Sequence, residues 1–199
     1  MRHGAREIIE DATKAEAVML NAQGVEQSRA LGEGLLSSHP PAHLFHSTIG
    51  RCGQTAELLL EGMGVAAQGV KNHGGQRDLA AYYLPDNQHT YRYCQENGMS
   101  TLDFIQQWFA GELGAELAIP ARRAAEQKLA FIQRCKAQWG GFQIHVSHDW
   151  NMMLLIAHYL ELEADAAYWP GFLEGVLLTW EESGALTLRF REHEKRIDG

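Results

Sequence analysis

The sequence is poor in cysteine. Its three, Cys52, Cys94 and Cys135, form no CxxC pair and no even set for a disulfide framework. A Cys/His zinc site is equally unsupported, because the spacings fit no common zinc pattern. Long apolar runs are missing too. None reaches the ~18 residues needed to cross a bilayer, so no membrane partner is expected. The opening Met1-Arg2-His3-Gly4 lacks the apolar segment of a secretory signal, which predicts a cytoplasmic location. Positive charge is scarce: 17 Lys and Arg face 25 Asp and Glu, a net charge of −8. Nucleic-acid backbones attract the opposite balance, so no nucleic-acid partner is expected. A small anion needs only a few local cations and is not excluded. Hydrophobic residues at 45% and charged residues at 21% are ordinary for a globular chain, and 199 residues fit one domain.

Periodicity predicts helices over 21–38, 51–63, 100–113, 121–138 and 151–160. Asn21 is the N-cap of the first, His39-Pro40-Pro41 its stop, and Pro120 a helix start. Strands are predicted at 43–47 and 142–147, and a hairpin from 175–181 and 185–191 around Glu182-Ser183-Gly184. Residues 69–98 are rich in glycine and tyrosine and read as an insertion or cap. Strands alternating with helices indicate an α/β fold with a mainly parallel sheet, residues 1–199 forming one domain. Ligands of such sheets sit beyond the carboxyl ends of the strands.

Three segments stand out on that criterion: Arg2-His3-Gly4-Ala5-Arg6, Ser47 to Ala56 with Arg51, and Val146-Ser147-His148-Asp149. Each has a plain reading. Arg2 and His3 can be solvated terminus, Arg51 a surface charge, and Asp149 a helix cap. Together they supply three arginines, two histidines and a carboxylate. That set suits phosphoryl transfer: cations for the anion, a nucleophile, and an acid for the leaving group.

An early RHG, RxxQTA about fifty residues on, and a late strand-end Ser-His resemble the histidine phosphatase superfamily, with Leu20-Asn21-Ala22-Gln23-Gly24 similar to its helix start. The resemblance implies a phosphoglycerate mutase-like three-layer α/β/α fold and a metal-independent, cofactor-free phosphatase working through phosphohistidine. It further implies that His3 is the nucleophile and that Arg2, Arg51 and His148 hold phosphate. Arg6 matches the second arginine of the acid-phosphatase branch, and Asp149 that branch's proton donor. The mutase branch uses a mid-chain glutamate, and Lys71 to Asp86 contains none. The resemblance also implies an apolar strand ahead of RHG. Only Met1 precedes Arg2 here, so a truncated first strand is expected, and a clipped start would conceal an export signal. The substrate is expected to be a small phosphorylated molecule.

Other residues read as structural. His39, His43 and His46 suggest a metal cluster by count, but 43 and 46 point to opposite faces of a strand. His145 should face away from His148, and His193 and Glu194 sit in a polar tail. The tryptophans 108, 139, 150 and 169 read as packing. Two alternatives to a phosphatase remain: a phosphate-binding module without turnover, and a metal-dependent His-Asp phosphohydrolase, whose domains are helical bundles.

Overall fold

The computed structural model describes residues 1–9, 11–36 and 41–197. Its centre is a parallel sheet of β1 (His43–Ser47), β2 (Lys71–Gln76) and β3 (Gln143–Val146) in the order β2-β1-β3. Alternation decides what each face meets. Leu44, Ile144 and Val146 pack on one side against α1 (Ala22–Leu36) and α2 (Gly50–Met63). Phe45 faces the other way, onto Phe131 and Cys135 of a later helix, Ala121–Trp139. His145 follows Phe45, stacking on it at 4.6 Å and meeting Phe131 edge-on. The sheet thus lies between two helical layers, the expected fold.

The cap stretch begins differently from the sequence reading. Residues 71–76 are an edge strand of the central sheet. Two glycines concealed it, and both have work to do there. Gly74 has φ +69° beside a break in register, and a Cβ on Gly75 would press within 3.4 Å of Thr48. After β2 come α3 (Asn87–Glu96), capped by Asp86, and α4 (Thr101–Ala110), opened by a Ser100–Asp103 capping box. Next are α5, the Ala121–Trp139 helix, and α6 (Asp149–Tyr159). Tyr83, Phe104, Trp108 and Leu154 form a core cluster among these elements.

The hairpin is present as β4 (Leu177–Trp180) and β5 (Leu186–Phe190), antiparallel around Gly184. The polar tail, however, forms a third strand, β6 (His193–Ile197), paired with β5. Its polar residues are those of an edge, with Lys195 and Arg196 ion-paired to Glu161 and Glu181. This second sheet packs Leu186, Leu188 and Phe190 on Leu129, Met153 and Ile156 of α5 and α6.

The expected first strand is reduced to one bridge, Arg2 with Ser147. Around it, Met1 donates to His145 O (2.7 Å), Ser147 N to Met1 O (2.8 Å) and His3 N to Ser147 O (3.0 Å). On the other side Arg2 N donates to Glu174 O, so Met1–His3 ties β3 to the chain entering the second sheet. Further along β3, a cavity of about 570 Å³ separates Gln143–His145 from Leu177–Trp180. No helix is long and apolar enough to cross a membrane among the described residues.

Candidate active site

His3 follows the Arg2 bridge at the carboxyl end of β3. Two glycines bring this segment close to its neighbours. A Cβ on Gly4 would lie 2.6 Å from Ser28 Oγ, and one on Gly24 would lie 2.0 Å from Ala5 O. Gly4 N donates to Thr55 Oγ1 (3.0 Å), and that hydroxyl donates to Arg51 O (2.8 Å). Thr55 of the QTA run therefore ties His3's neighbour to the helix that carries Arg51.

Arg51 lies in the first turn of α2, and His148 immediately precedes α6. Both helices aim their N-terminal amides and positive dipole ends at this corner, which favours an anion. Arg51 links the histidines. Its Nε donates to His3 Nε2 (3.0 Å), its Nη2 reaches His148 Nδ1 (3.3 Å), and its Nη1 donates to Ala15 O (2.7 Å). The two imidazole centroids are 5.4 Å apart. His3 Nδ1 lies 2.8 Å from Gly4 O. A carbonyl only accepts, so Nδ1 carries the proton and Nε2 the lone pair.

Arg2 and Asp149 complete the cluster as a pair, Nη2 to Oδ2 at 2.9 Å. Arg2 also donates to Pro170 O (2.6 Å) and lies over the Phe172 ring at 4.1 Å. Asp149 accepts from Trp169 Nε1 (3.2 Å) and Trp150 N (3.0 Å). Part of the capping alternative for Asp149 is thus seen. Arg6 donates to Glu7 O, its buried Nε has no partner, and its charge is felt by Arg2 and Arg51.

Burial followed by the charge of Arg51 pushes His3 down from 6.5 to about 3, and the same two causes hold His148 well below its ordinary value. Both imidazoles are neutral near neutral pH. Burial also lowers the three guanidinium groups, Arg2, Arg6 and Arg51. Three cations thus face one carboxylate.

The structure brings Arg2, His3, Arg51, His148 and Asp149 to one corner, with Arg6 at its margin. The large cavity is elsewhere, and its lining includes neither His3, Arg51 nor His148. Of the proposed metal cluster, His39 lies outside the described residues, while His43 turns to His73 (3.1 Å) and His46 to its own strand end. Sequence reasoning gave Ser47 and Phe172 no role of their own and read Trp169 as packing. Ser47 touches His148, and nothing in the spacing of Trp169 announced Asp149 twenty residues away. The all-helical architecture of the metal-dependent alternative is not what is found: His148-Asp149 sits where a parallel strand meets a helix.

The sequence pattern of the histidine phosphatase superfamily (branch 1) matches residues 1–180. The chain belongs to that superfamily. No curated protein matches the sequence. Among solved structures, this histidine phosphatase resembles the alpha-ribazole phosphatase of Shigella flexneri, at 19% identity and TM-score 0.62, over 96% of this chain and 93% of that one. A mycobacterial glucosyl-3-phosphoglycerate phosphatase with inorganic phosphate is similar at 17% identity and TM-score 0.61, over 94% and 91%. A phosphoserine phosphatase variant from Entamoeba histolytica, with phosphoserine, is similar at 15% and 0.55, over 99% and 92%. These likenesses concern the fold. The match names branch 1, so the acid-phosphatase role expected of Asp149 draws nothing from it and rests on geometry.

Proposed function

We propose that this chain hydrolyses a small phosphomonoester through a phosphohistidine on His3, without a metal ion. One observation carries the reading: Arg51 spans His3 Nε2 and His148 Nδ1 at 3.0 and 3.3 Å. A phosphoryl group placed there meets a fixed cation, a neutral nucleophile and a second imidazole together. Arg2, Arg6, Arg51 and His148 hold its equatorial oxygens; guanidinium suits this because it is planar and permanently charged. His3 Nε2 attacks phosphorus, the P–O bond to the leaving group breaks, and the departing oxygen takes a proton from Asp149. Water then attacks the phosphoramidate and returns a proton to Asp149, releasing inorganic phosphate and free His3.

Asp149 serves as acid once Arg2 exchanges its carboxylate for a phosphoryl oxygen. Attack needs neutral His3, which holds above a pH of about 3. Proton donation needs protonated Asp149. Residues 77–98, above all α3 with Tyr91 near enough to Arg51 for their charges to interact, form the cap that selects the substrate. Relatives named for small phosphorylated metabolites support that substrate class, and the cytoplasm is the proposed location.

The test is His3→Ala. Turnover of an aryl phosphate drops at least about 10³-fold, an acid-labile phosphoenzyme vanishes, and wild-type activity survives chelator. Turnover that persists in the variant overturns the mechanism. Asp149→Asn loses about 10²–10⁴-fold on alkyl phosphates and much less on aryl ones, whose leaving groups need little proton help. The Arg2–Asp149 ion pair favours one second reading, a module that binds phosphate without turnover. That reading requires vanadate binding with no phosphoenzyme.

A further inference from the structure

We propose that Ser47 is a positioning residue that pairs with Nε2 of His148 in either tautomer, and so lets His148 turn an N–H to phosphate. The proposal rests on the role given to His148 above. Ser47 ends β1 and is buried, with 1% of its surface exposed. Its Oγ accepts from Ile49 N at 3.2 Å and lies 2.9 Å from His148 Nε2. The other ring nitrogen, Nδ1, faces Arg51 Nη2 at 3.3 Å. A guanidinium only donates, so Nδ1 offers a lone pair there. The single proton of the neutral ring is therefore on Nε2, and Ser47 Oγ receives it.

No other side chain near that nitrogen serves equally. Cys52 Sγ is 3.6 Å away, but its S–H lies toward Ser147 O at 3.5 Å, and sulfur is a weak acceptor. The charged and titratable groups acting on the ring are Arg51, His3, Lys128 and Arg2, and none of them offers an oxygen.

Phosphate reverses the demand. A phosphoryl oxygen bound between Arg51 and His148 needs an N–H at Nδ1. One proton then leaves Nε2 for solvent and one from solvent arrives at Nδ1. Nε2 becomes an acceptor, and a hydroxyl is the group that can answer by turning to donate. Ser47 serves both tautomers from one position, because its Oγ is fixed by Ile49 N while its hydrogen rotates. A methyl group serves neither.

The experiment compares wild type, Ser47→Ala, Ser47→Cys and Ser47→Thr. Nitrogen NMR of the His148 ring, with and without orthovanadate, reads the tautomer, and vanadate titration reads affinity. Wild type and Ser47→Thr are expected to show Nε2–H alone and Nδ1–H with vanadate. Ser47→Ala and Ser47→Cys are expected to keep Nε2–H beside Arg51 without vanadate, to fail to reach Nδ1–H with it, and to lose about tenfold in vanadate affinity, the worth of one buried hydrogen bond. KM rises in step, and the pH profile of kcat/KM shifts in these two variants but not in Ser47→Thr. A folded Ser47→Ala or Ser47→Cys that reaches Nδ1–H with vanadate at wild-type affinity overturns the proposal. The ring signals and the vanadate affinity are independent of turnover, so failure of the phosphatase reading in His3→Ala is distinguishable from failure here.

Discussion

The two sheets of this molecule share a supporting helix and divide the labour. Both rest on α5, and both bury aliphatic side chains. The parallel sheet, though, ends in buried polar groups: Ser47 at the end of β1, with Arg51 in the helix that follows it, and Ser147 and His148 after β3. The antiparallel sheet buries Leu186, Leu188 and Phe190, and sends its charges to the surface as ion pairs. Direction is the cause. Parallel strands bring their carboxyl ends to one edge, where the following helices begin and their amides converge. Strands that reverse at each turn gather no such edge.

That division can be broken from either side. On the parallel side, Arg51→Ala should cost at least about 10³ in kcat/KM, the order found when an arginine leaves a phosphoryl site, while urea unfolding still shows one cooperative transition. A variant that keeps wild-type kcat/KM would remove the corner from the chemistry. On the antiparallel side, Leu188→Ala should lower stability by about 2–5 kcal/mol through the cavity it leaves. Its folded fraction should keep kcat/KM within about twofold. A large kinetic loss would mean that the second sheet shapes the site after all.

The remaining test is acid sensitivity. His3 and His145 both belong to the parallel half and are both pushed to about 3 by burial. Unfolded, they bind protons near 6.5. Their contribution is full above that value and is lost as pH falls from about 6.5 toward 3, at roughly 1.4 kcal/mol per pH unit for each group. Urea midpoints between pH 7 and 5 measure this slope. Replacing His145 by Phe should flatten it, and an unchanged slope would mean the proton uptake occurs elsewhere.

The layers and most helices were legible because their periods are clean. Leu44 and Phe45, pointing to opposite faces, mark β1 as a strand buried on both sides. β2 was not legible, because Lys71 to Gln76 has no apolar residue to alternate. β6 was hidden because an edge strand carries charge, and His193-Glu194-Lys195-Arg196 reads as a tail. The candidate residues were legible by type and position: Arg51 stands at a helix start, and His148 and Asp149 where a strand gives way to a helix. Their partners were not. That Arg2 would hold Asp149, or that Ser47 would meet His148 across 101 positions, depends on side-chain reach in three dimensions, and spacing carries no trace of it.

The single bridge between Arg2 and Ser147 has a consequence for how the protein fails. Arg2 and His3 meet β3 through a handful of backbone bonds, whereas Arg51 lies within α2 and His148 opens α6. A segment held by few bonds opens at lower free energy than the structure that carries it. Opening of Arg2–His3 away from β3 withdraws the proposed nucleophile while both sheets remain folded. On that reading inactivation is a local event that precedes melting, and an anion held at once by residue 3 and residue 148 fastens the two segments together.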